Sequence, residues 1–233
     1  MERLPIGIPG LDLLIEGGIP KGFIVLVSGT TGSGKTTFLI HYIYEGLKRG
    51  ERAIFITLEQ TPEDILEIAE IFGMDLKKYI NGGKLKMIHF RPIDLAISGD
   101  WKELIYNISS EILDFKPTRV AIDGFAVLLS MLKSEWEIRR FVMELYLSLK
   151  KYKATVLITS EIPEGEENKL SRFGVEEFIV DGIIILKFFR VGGSAFGSLE
   201  VRKMRLTKHA HGEFSLDFTE KGLKVSEQET IFK

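Results

Sequence analysis

The chain has 233 residues, of which 45% are hydrophobic and 27% charged, with a net charge of −2 and no cysteine. This length suits one sizeable α/β domain, so we predict a single domain over residues 1–233 with a flexible tail at 226–233. The composition excludes disulfides and cysteine-ligated metals, and the small net charge gives no general preference for nucleic acid. No opening stretch resembles a signal peptide or a membrane span, so we expect a cytoplasmic protein.

The predicted elements alternate along the chain between apolar strands and amphipathic helices. Strands are expected at 23–27, 52–58, 86–90, 119–123 and 154–160, and helices at 36–47, 62–72, 101–115 and 134–152. Such alternation is typical of a mainly parallel sheet with helices on both faces.

The pattern changes after residue 180. Two predicted strands, 183–189 and 198–205, flank a glycine-rich turn at 191–197, which indicates an antiparallel hairpin that extends the sheet. Short strands at 212–218 and 223–226 are expected to follow. The predicted fold class is therefore α/β, with a C-terminal antiparallel extension.

Residues 29–36 match the whole of a G-x-x-x-x-G-K-[ST] motif, the phosphate-binding loop of many nucleotide-binding proteins. A strand pattern precedes the loop and a helix pattern follows it, which argues against a chance match in a glycine-rich turn. Glycines let consecutive backbone N–H groups surround phosphate oxygens, and the N-terminus of the following helix attracts the same charge. We therefore predict a nucleotide site formed by Thr30, Thr31, Gly32, Ser33, Gly34, Lys35, Thr36 and Thr37.

Four side chains have predicted chemical roles at this site. Lys35 is expected to neutralise the β- and γ-phosphates, and the Thr36 hydroxyl to ligate Mg²⁺. Asp123 ends a buried strand, which suits a carboxylate that reaches Mg²⁺ through water. Glu59 ends the strand after the loop helix and is our candidate general base, because parallel strands end at one ligand-binding edge.

Each carboxylate also has a plainer interpretation. Aspartate is common at the start of a turn, so Asp123 could simply begin a turn with Gly124. Glu59 could likewise be a solvated acid at the end of its strand or on the N-terminal side of the next helix. Thr159 and Ser160 end another strand at the same edge, where hydroxyls suit a sensor of the γ-phosphate or of the attacking water. A capped loop start explains these two residues equally well.

With these elements assembled, the chain resembles the KaiC/RecA superfamily of ATPases, above all single-domain KaiC-like proteins of archaea and bacteria. The resemblance rests on the loop motif and on residues 7–14, 17–22, 55–60, 119–123, 172–178 and 199–205. It implies a RecA-like fold and hydrolysis of ATP to ADP and phosphate with Mg²⁺. It also implies a homo-oligomer, commonly a hexameric ring, with ATP held between subunits.

In this family a K-x-R pair on a late strand reaches the γ-phosphate of the adjacent subunit, and Lys203 and Arg205 match it. A cation supplied in trans stabilises the charge that develops in phosphoryl transfer. Without the family, these residues are typical of a solvated strand face. His209 matches a family histidine near the nucleotide, whereas His209 and His211 together form an incomplete metal pair, and we favour surface or subunit-contact histidines.

Two departures from the family pattern bear on activity. Gln60 stands where a second glutamate is usual, and Gly124 where a serine is common, so slow turnover is expected. The preferred function is an ATPase that uses its cycle to regulate contacts with an unknown protein partner. The alternative is a nucleotide-gated binding module with negligible hydrolysis. A RecA- or RadA-like DNA recombinase is disfavoured, because the loop 161–170 carries four acids and one base.

Overall fold

The structure is a computed structural model that describes residues 1–91, 93, 100–166, 168–191 and 194–229. The strands are β1 (Arg3–Leu4), β2 (Ile19–Pro20), β3 (Ile24–Gly29), β4 (Ala53–Thr57), β5 (Leu85–His89), β6 (Arg119–Asp123), β7 (Thr155–Glu161), β8 (Gly182–Val191), β9 (Ser194–Met204), β10 (Glu213–Thr219) and β11 (Gly222–Glu229). The helices are α1 (Leu11–Leu14), α2 (Lys35–Lys48), α3 (Pro62–Ile71), α4 (Lys77–Asn81), α5 (Trp101–Phe115), α6 (Phe125–Leu129), α7 (Glu135–Lys151) and α8 (Glu176–Ile179). Within these ranges no helix is both long and apolar enough to cross a membrane.

One large sheet organises the described part of the chain, with the strand order β11-β10-β9-β8-β3-β7-β6-β4-β5. The strands from β5 to β8 in this order pair in parallel. The strands β9, β10 and β11 continue the sheet beyond β8 in antiparallel pairs. The predicted α/β class, with a mainly parallel sheet and a C-terminal antiparallel extension, is therefore confirmed.

The C-terminal hairpin differs in detail from its prediction. Its turn is shorter than the predicted 191–197, because Val191 already pairs with Ser194 across the two strands; residues 192–193 lie outside the described part. Gly197 belongs to β9, where a Cβ atom would lie 2.3 Å from the Leu216 carbonyl oxygen. This glycine therefore permits close strand packing and does not form the turn. The strand β11 extends to Glu229, inside the predicted tail; residues 230–233 lie outside the described part.

Both faces of the sheet are covered. Val25 and Val27 of β3 point to a core shared with α2 and the C-terminal strands, and Ile24 and Leu26 point to a core shared with α5, α6 and α7. This division follows from the two-residue period of a strand. It also explains why β3 reads as a continuous apolar run, since a strand buried on both faces has no solvent side.

A buried arginine anchors the N-terminal segment at the amino edge of the sheet. Arg119, the first residue of β6, is fully buried and pairs with Glu51 at 2.8 Å. Its Nη1 also donates to the carbonyl oxygens of Pro5 and Tyr42, at 2.5 and 2.9 Å. These bonds join the N-terminal segment to α2 and β6. They thereby fix the position of α2, the helix that follows the glycine-rich loop.

Candidate functional site

The glycine-rich loop, residues 29–36, joins β3 to α2 at the carboxyl edge of the parallel strands. Gly34 is the N-cap of α2 and has a φ angle of 94°, a left-handed conformation that favours glycine. A Cβ atom on Gly34 would also lie 2.7 Å from Cζ of Phe218, at the end of β10. The first turn of α2 is therefore packed directly beneath the β10–β11 hairpin.

The side chains of this loop differ in their hydrogen bonding. The Lys35 ammonium donates to the carbonyl oxygens of Gly29 and Thr30, at 3.0 and 2.9 Å, and burial lowers its pKa below the usual range. The buried hydroxyl oxygens of Thr30 and Ser33 have no hydrogen-bond partner in the described part of the chain. Buried polar atoms without partners are costly, and neither Thr30 nor Ser33 is among the residues that line the cavity described below.

Asp123 lies at the centre of a short hydrogen-bonded chain. Thr36 Oγ1 donates to its Oδ2 at 2.7 Å, and Thr159 Oγ1 donates to its Oδ1 at 2.8 Å. The backbone N–H of Gly124 in turn donates to the Thr159 hydroxyl at 2.9 Å. Burial raises the pKa of Asp123, and the two hydroxyl bonds oppose that change. The predicted metal ligands Thr36 and Asp123 are thus in direct contact.

A cavity of about 340 Å³ opens above these groups. It lies in the size range of small-molecule sites. Within the described part of the chain, its charged lining residues are three carboxylates and one ammonium, from Glu59, Asp123, Glu161 and Lys35. Desolvation, followed by the charges of Glu161 and Asp123, raises the pKa of the Glu59 carboxyl, which suits a group that accepts a proton.

The structure brings most of the predicted site residues together. The cavity is lined by Thr31, Gly32, Gly34, Lys35, Thr36, Thr37, Glu59 and Asp123. Thr159 and Ser160 also line it, and the Ser160 hydroxyl donates to Glu176 at 3.0 Å.

Lys203 and Arg205 do not join this cluster within the chain. They flank the end of β9, where Met204 pairs with Gly182 and Gly182 pairs with Val25, near the start of β3. The glycine-rich loop begins four residues further along β3, about 13 Å along the strand direction. Lys203 Nζ instead donates to the carbonyl oxygens of Glu177 and Val180, at 3.1 and 2.7 Å.

Five of the lining residues were missed by the sequence analysis: Phe125, Ala126, Val127, Glu161 and Phe218. Glu161 was assigned to the acidic loop 161–170, but it is the last residue of β7 and pairs with Gly29. The rule that identified Asp123, an acid at the end of a parallel strand, applies to Glu161 as well. Phe218 lines the cavity only because the C-terminal hairpin folds over α2, and no local pattern indicates that contact.

The imidazole rings of His209 and His211 have centroids 4.9 Å apart. In the described ranges no three His, Asp or Glu side chains are grouped so as to hold a metal ion. The structure therefore adds no third ligand to this histidine pair.

The sheet order and the loop at its carboxyl edge define a RecA-like α/β protein of the ATPase class. A family model described as "ATPase: KaiC" matches residues 4–230. The chain belongs to this KaiC family, which confirms the resemblance found in the sequence.

Individual relatives agree with this assignment. The chain is 35% identical over 230 residues to the circadian clock oscillator protein KaiC of Parasynechococcus marenigrum (strain WH8102), covering 97% of this chain and 45% of that protein. It is 35% identical over 223 residues to the KaiC of Synechococcus elongatus, covering 94% of this chain and 43% of that protein. The chain thus spans less than half the length of these curated relatives.

A solved structure matches over nearly the whole of both chains. The KaiC-like protein of the hyperthermophilic archaeon Pyrococcus horikoshii OT3 superposes with a TM-score of 0.86 at 33% identity, covering 97% of this chain and 99% of that chain. This likeness extends to the C-terminal antiparallel strands as well as to the parallel core.

Proposed function

We propose that this protein binds ATP with Mg²⁺ and hydrolyses it to ADP and phosphate at sites completed by neighbouring subunits. The observation that carries the proposal is the convergence of Lys35, Thr36, Glu59 and Asp123 on one cavity above a glycine-rich loop. Membership of the KaiC ATPase family supports the same reaction. Each of the four residues has a distinct part in the chemistry.

The charges of the cavity support a requirement for a divalent cation. Three carboxylates face one ammonium there, so a triphosphate would meet net repulsion without an added positive charge. The Thr36 hydroxyl and the Asp123 carboxylate, 2.7 Å apart, are oxygen groups of the kind that Mg²⁺ prefers. These two residues would hold the metal, which when bound offsets phosphate charge during phosphoryl transfer.

The chain's own groups account for binding and proton transfer. Lys35 exchanges its two carbonyl partners for β- and γ-phosphate oxygens, and the loop N–H groups bind the remaining phosphate oxygens. Glu59 accepts a proton from the water that attacks the γ-phosphorus, while the bond from that phosphorus to the β-phosphate oxygen breaks and ADP leaves. The raised pKa of Glu59 makes it a better base than an ordinary exposed carboxylate.

We further propose that the active state is a homo-oligomeric ring, with six subunits as the family suggests. Arg205 and Lys203 lie by the amino edge of the sheet, away from their own glycine-rich loop. A neighbouring subunit's phosphates are therefore the site that suits them, as expected for cations supplied in trans. The nucleotide cycle would then regulate contacts with a protein partner in the cytoplasm.

A second candidate function is a nucleotide-gated binding module with negligible hydrolysis. Gln60 favours it, because an amide at this position cannot act as a base, and its buried Oε1 has no partner in the described part of the chain. DNA strand exchange receives no such support, since residues 162–170 still carry three acids and one base after Glu161 is assigned to β7.

The first experiment is steady-state phosphate release from ATP, at several protein concentrations, with Mg²⁺ or with EDTA. We expect Mg²⁺-dependent release whose specific activity rises with protein concentration. In Glu59→Gln the rate should fall by about 10²-fold or more while nucleotide binding remains. Glu63→Gln, which changes an exposed acid nearby on α3, is the matched control.

Equal rates in the wild type and in Glu59→Gln would remove Glu59 from its role as base. Nucleotide retention without any release in the wild type would favour the binding module.

A further inference from the structure

Among the described residues that line the cavity, Glu161 is the charged one to which the proposed reaction gives no task. It ends β7 and pairs with Gly29, and the next N–H, that of Ile162, donates to the Gly29 carbonyl oxygen at 3.0 Å. The Glu161 carboxylate therefore stands beside the first residue of the glycine-rich loop, in the cavity that also holds Lys35 and Glu59. A triphosphate bound to this loop would bring further negative charge close to it.

An arginine from another segment offsets this carboxylate. Arg172 Nη1 donates to Glu161 Oε2 at 3.1 Å, and the two side chains are 43% and 32% exposed. The position of Arg172 is fixed by its neighbour Ser171, which is fully buried and donates to the buried Glu176 at 2.8 Å. Arg172 therefore lies on a segment that buried hydrogen bonds hold in place beside Glu161.

Lys35 is subject to the same carboxylate. Among the acids that raise the pKa of Lys35 against the effect of burial, Glu161 has the largest influence, ahead of Asp123 and Glu59. The terminal phosphate of a nucleotide would attract the cations that Glu161 attracts and would be repelled by Glu161. A triphosphate places one more phosphate at Lys35 than a diphosphate does, so charge on Glu161 bears more on the triphosphate.

We propose that Glu161 and Arg172 set the preference of this site for nucleoside triphosphate over diphosphate. Glu161 weakens binding of the terminal phosphate, and Arg172 limits this effect by neutralising the carboxylate. The inference rests on the proposed nucleotide site, but it does not require that hydrolysis takes place. Because the ion pair is only partly buried, its effect on affinity is expected to be moderate.

The test compares dissociation constants of Mg-ATPγS and Mg-ADP, measured by titration calorimetry, for the wild type, Glu161→Gln, Arg172→Gln and the double variant. We expect Glu161→Gln to tighten ATPγS binding by about threefold to tenfold, with a smaller change for ADP. Arg172→Gln should weaken ATPγS more than ADP, and this loss should shrink in the double variant. Glu164→Gln, an exposed acid of the next loop, should change neither constant.

Several outcomes would overturn the inference. One is that Glu161→Gln changes the dissociation constants of Mg-ATPγS and Mg-ADP by the same factor, or changes neither. Another is a full effect of Arg172→Gln in the Glu161→Gln background, since Arg172 would then act on phosphate directly. Thermal unfolding without nucleotide checks that the variants fold, and Glu161→Asp, which keeps the charge, should retain the wild-type preference. A wild type that binds neither nucleotide would overturn the proposed function and this inference with it, whereas one that binds without hydrolysing leaves the test intact.

Discussion

Asp123 is only 5% exposed, and each of its two carboxylate oxygens accepts a hydrogen bond from a hydroxyl group. One of these donors, Thr36, is also a predicted metal ligand. These bonds hold the carboxylate in place within the chain itself, because a buried carboxylate without partners would be far more costly than this paired one. The Thr159 hydroxyl extends the pairing to the backbone of Gly124.

His41 in α2 makes a residue-scale prediction about pH. It is 6% exposed, and its Nε2 accepts the Leu223 N–H at 2.9 Å. Its pKa is lowered to about 4: burial is the main cause and Lys48 adds to it, while a backbone hydrogen bond with Gly7 and the charge of Glu45 act the other way.

The folded state therefore keeps His41 neutral, whereas the unfolded chain takes up a proton below its ordinary pKa of about 6.5. The resulting stability is complete above that pH and is lost as the pH falls towards 4. Between pH 7 and 5 the free energy of unfolding should drop by about 2 kcal/mol on this account. Urea unfolding of wild type and His41→Gln across this range measures it. Parallel pH profiles for the two proteins would rule His41 out as the source.

At the scale of elements, the segment 171–180 joins the cavity edge to the strand that carries Lys203. Ser160, at the end of β7, donates to Glu176 at 3.0 Å, and Glu176 begins α8. At the other end of α8, Lys203 donates to the Val180 carbonyl oxygen at 2.7 Å. The position of Lys203 thus depends on a short helix that is itself tied to the nucleotide cavity.

Glu176→Gln tests this link. The buried carboxylate accepts from Ser160, Ser171 and the Val175 N–H, so an amide NH₂ in place of one oxygen would face a donor. We expect a loss of about 1–3 kcal/mol in the free energy of unfolding. Chemical denaturation measures the loss, with Glu164→Gln as the exposed control. Unchanged stability would show that these bonds add little.

Elements with a local signal were well predicted from the sequence. The helix α3 begins at Pro62 after the N-cap Thr61, as predicted, and a capping box with Asp64 completes its start. The helix α5 has the predicted bounds, because its amphipathic pattern is uninterrupted. The loop motif and the acid at the end of β6 likewise gave the site residues that the structure brings together.

Contacts between distant segments were not predictable in this way. The short helix α8 is held by hydrogen bonds between side chains far apart in sequence, and Phe218 reaches the cavity only through the β10–β11 hairpin. Such contacts leave no periodic pattern in a single sequence, because they depend on how complete elements pack. The ion pair of Glu161 and Arg172 belongs to the same class.

At the scale of the whole molecule, the sheet separates two groups of residues to which the proposed function gives roles. The glycine-rich loop and its carboxylates lie at the carboxyl edge, while β9 delivers Arg205 to the amino edge, where it pairs with Asp181 at 3.5 Å. The Arg205 side chain is 50% exposed and so is accessible to a neighbouring subunit. This division suits a closed ring in which each subunit offers one edge to the next.

The most direct test mixes two inactive variants. Glu59→Gln removes the proposed base and Arg205→Ala the proposed trans cation, while Arg202→Ala on the same strand serves as the control. Phosphate release should be nearly abolished in Glu59→Gln and Arg205→Ala alone, because a trans cation contributes about 10³-fold or more. When the two variants are co-expressed in equal amounts, about a quarter of the interfaces in a ring should combine an intact Glu59 with an intact Arg205. We expect such mixed assemblies to regain about a quarter of the wild-type rate of phosphate release. If the wild type is active but the mixture is no more active than either variant alone, trans completion of the site is contradicted.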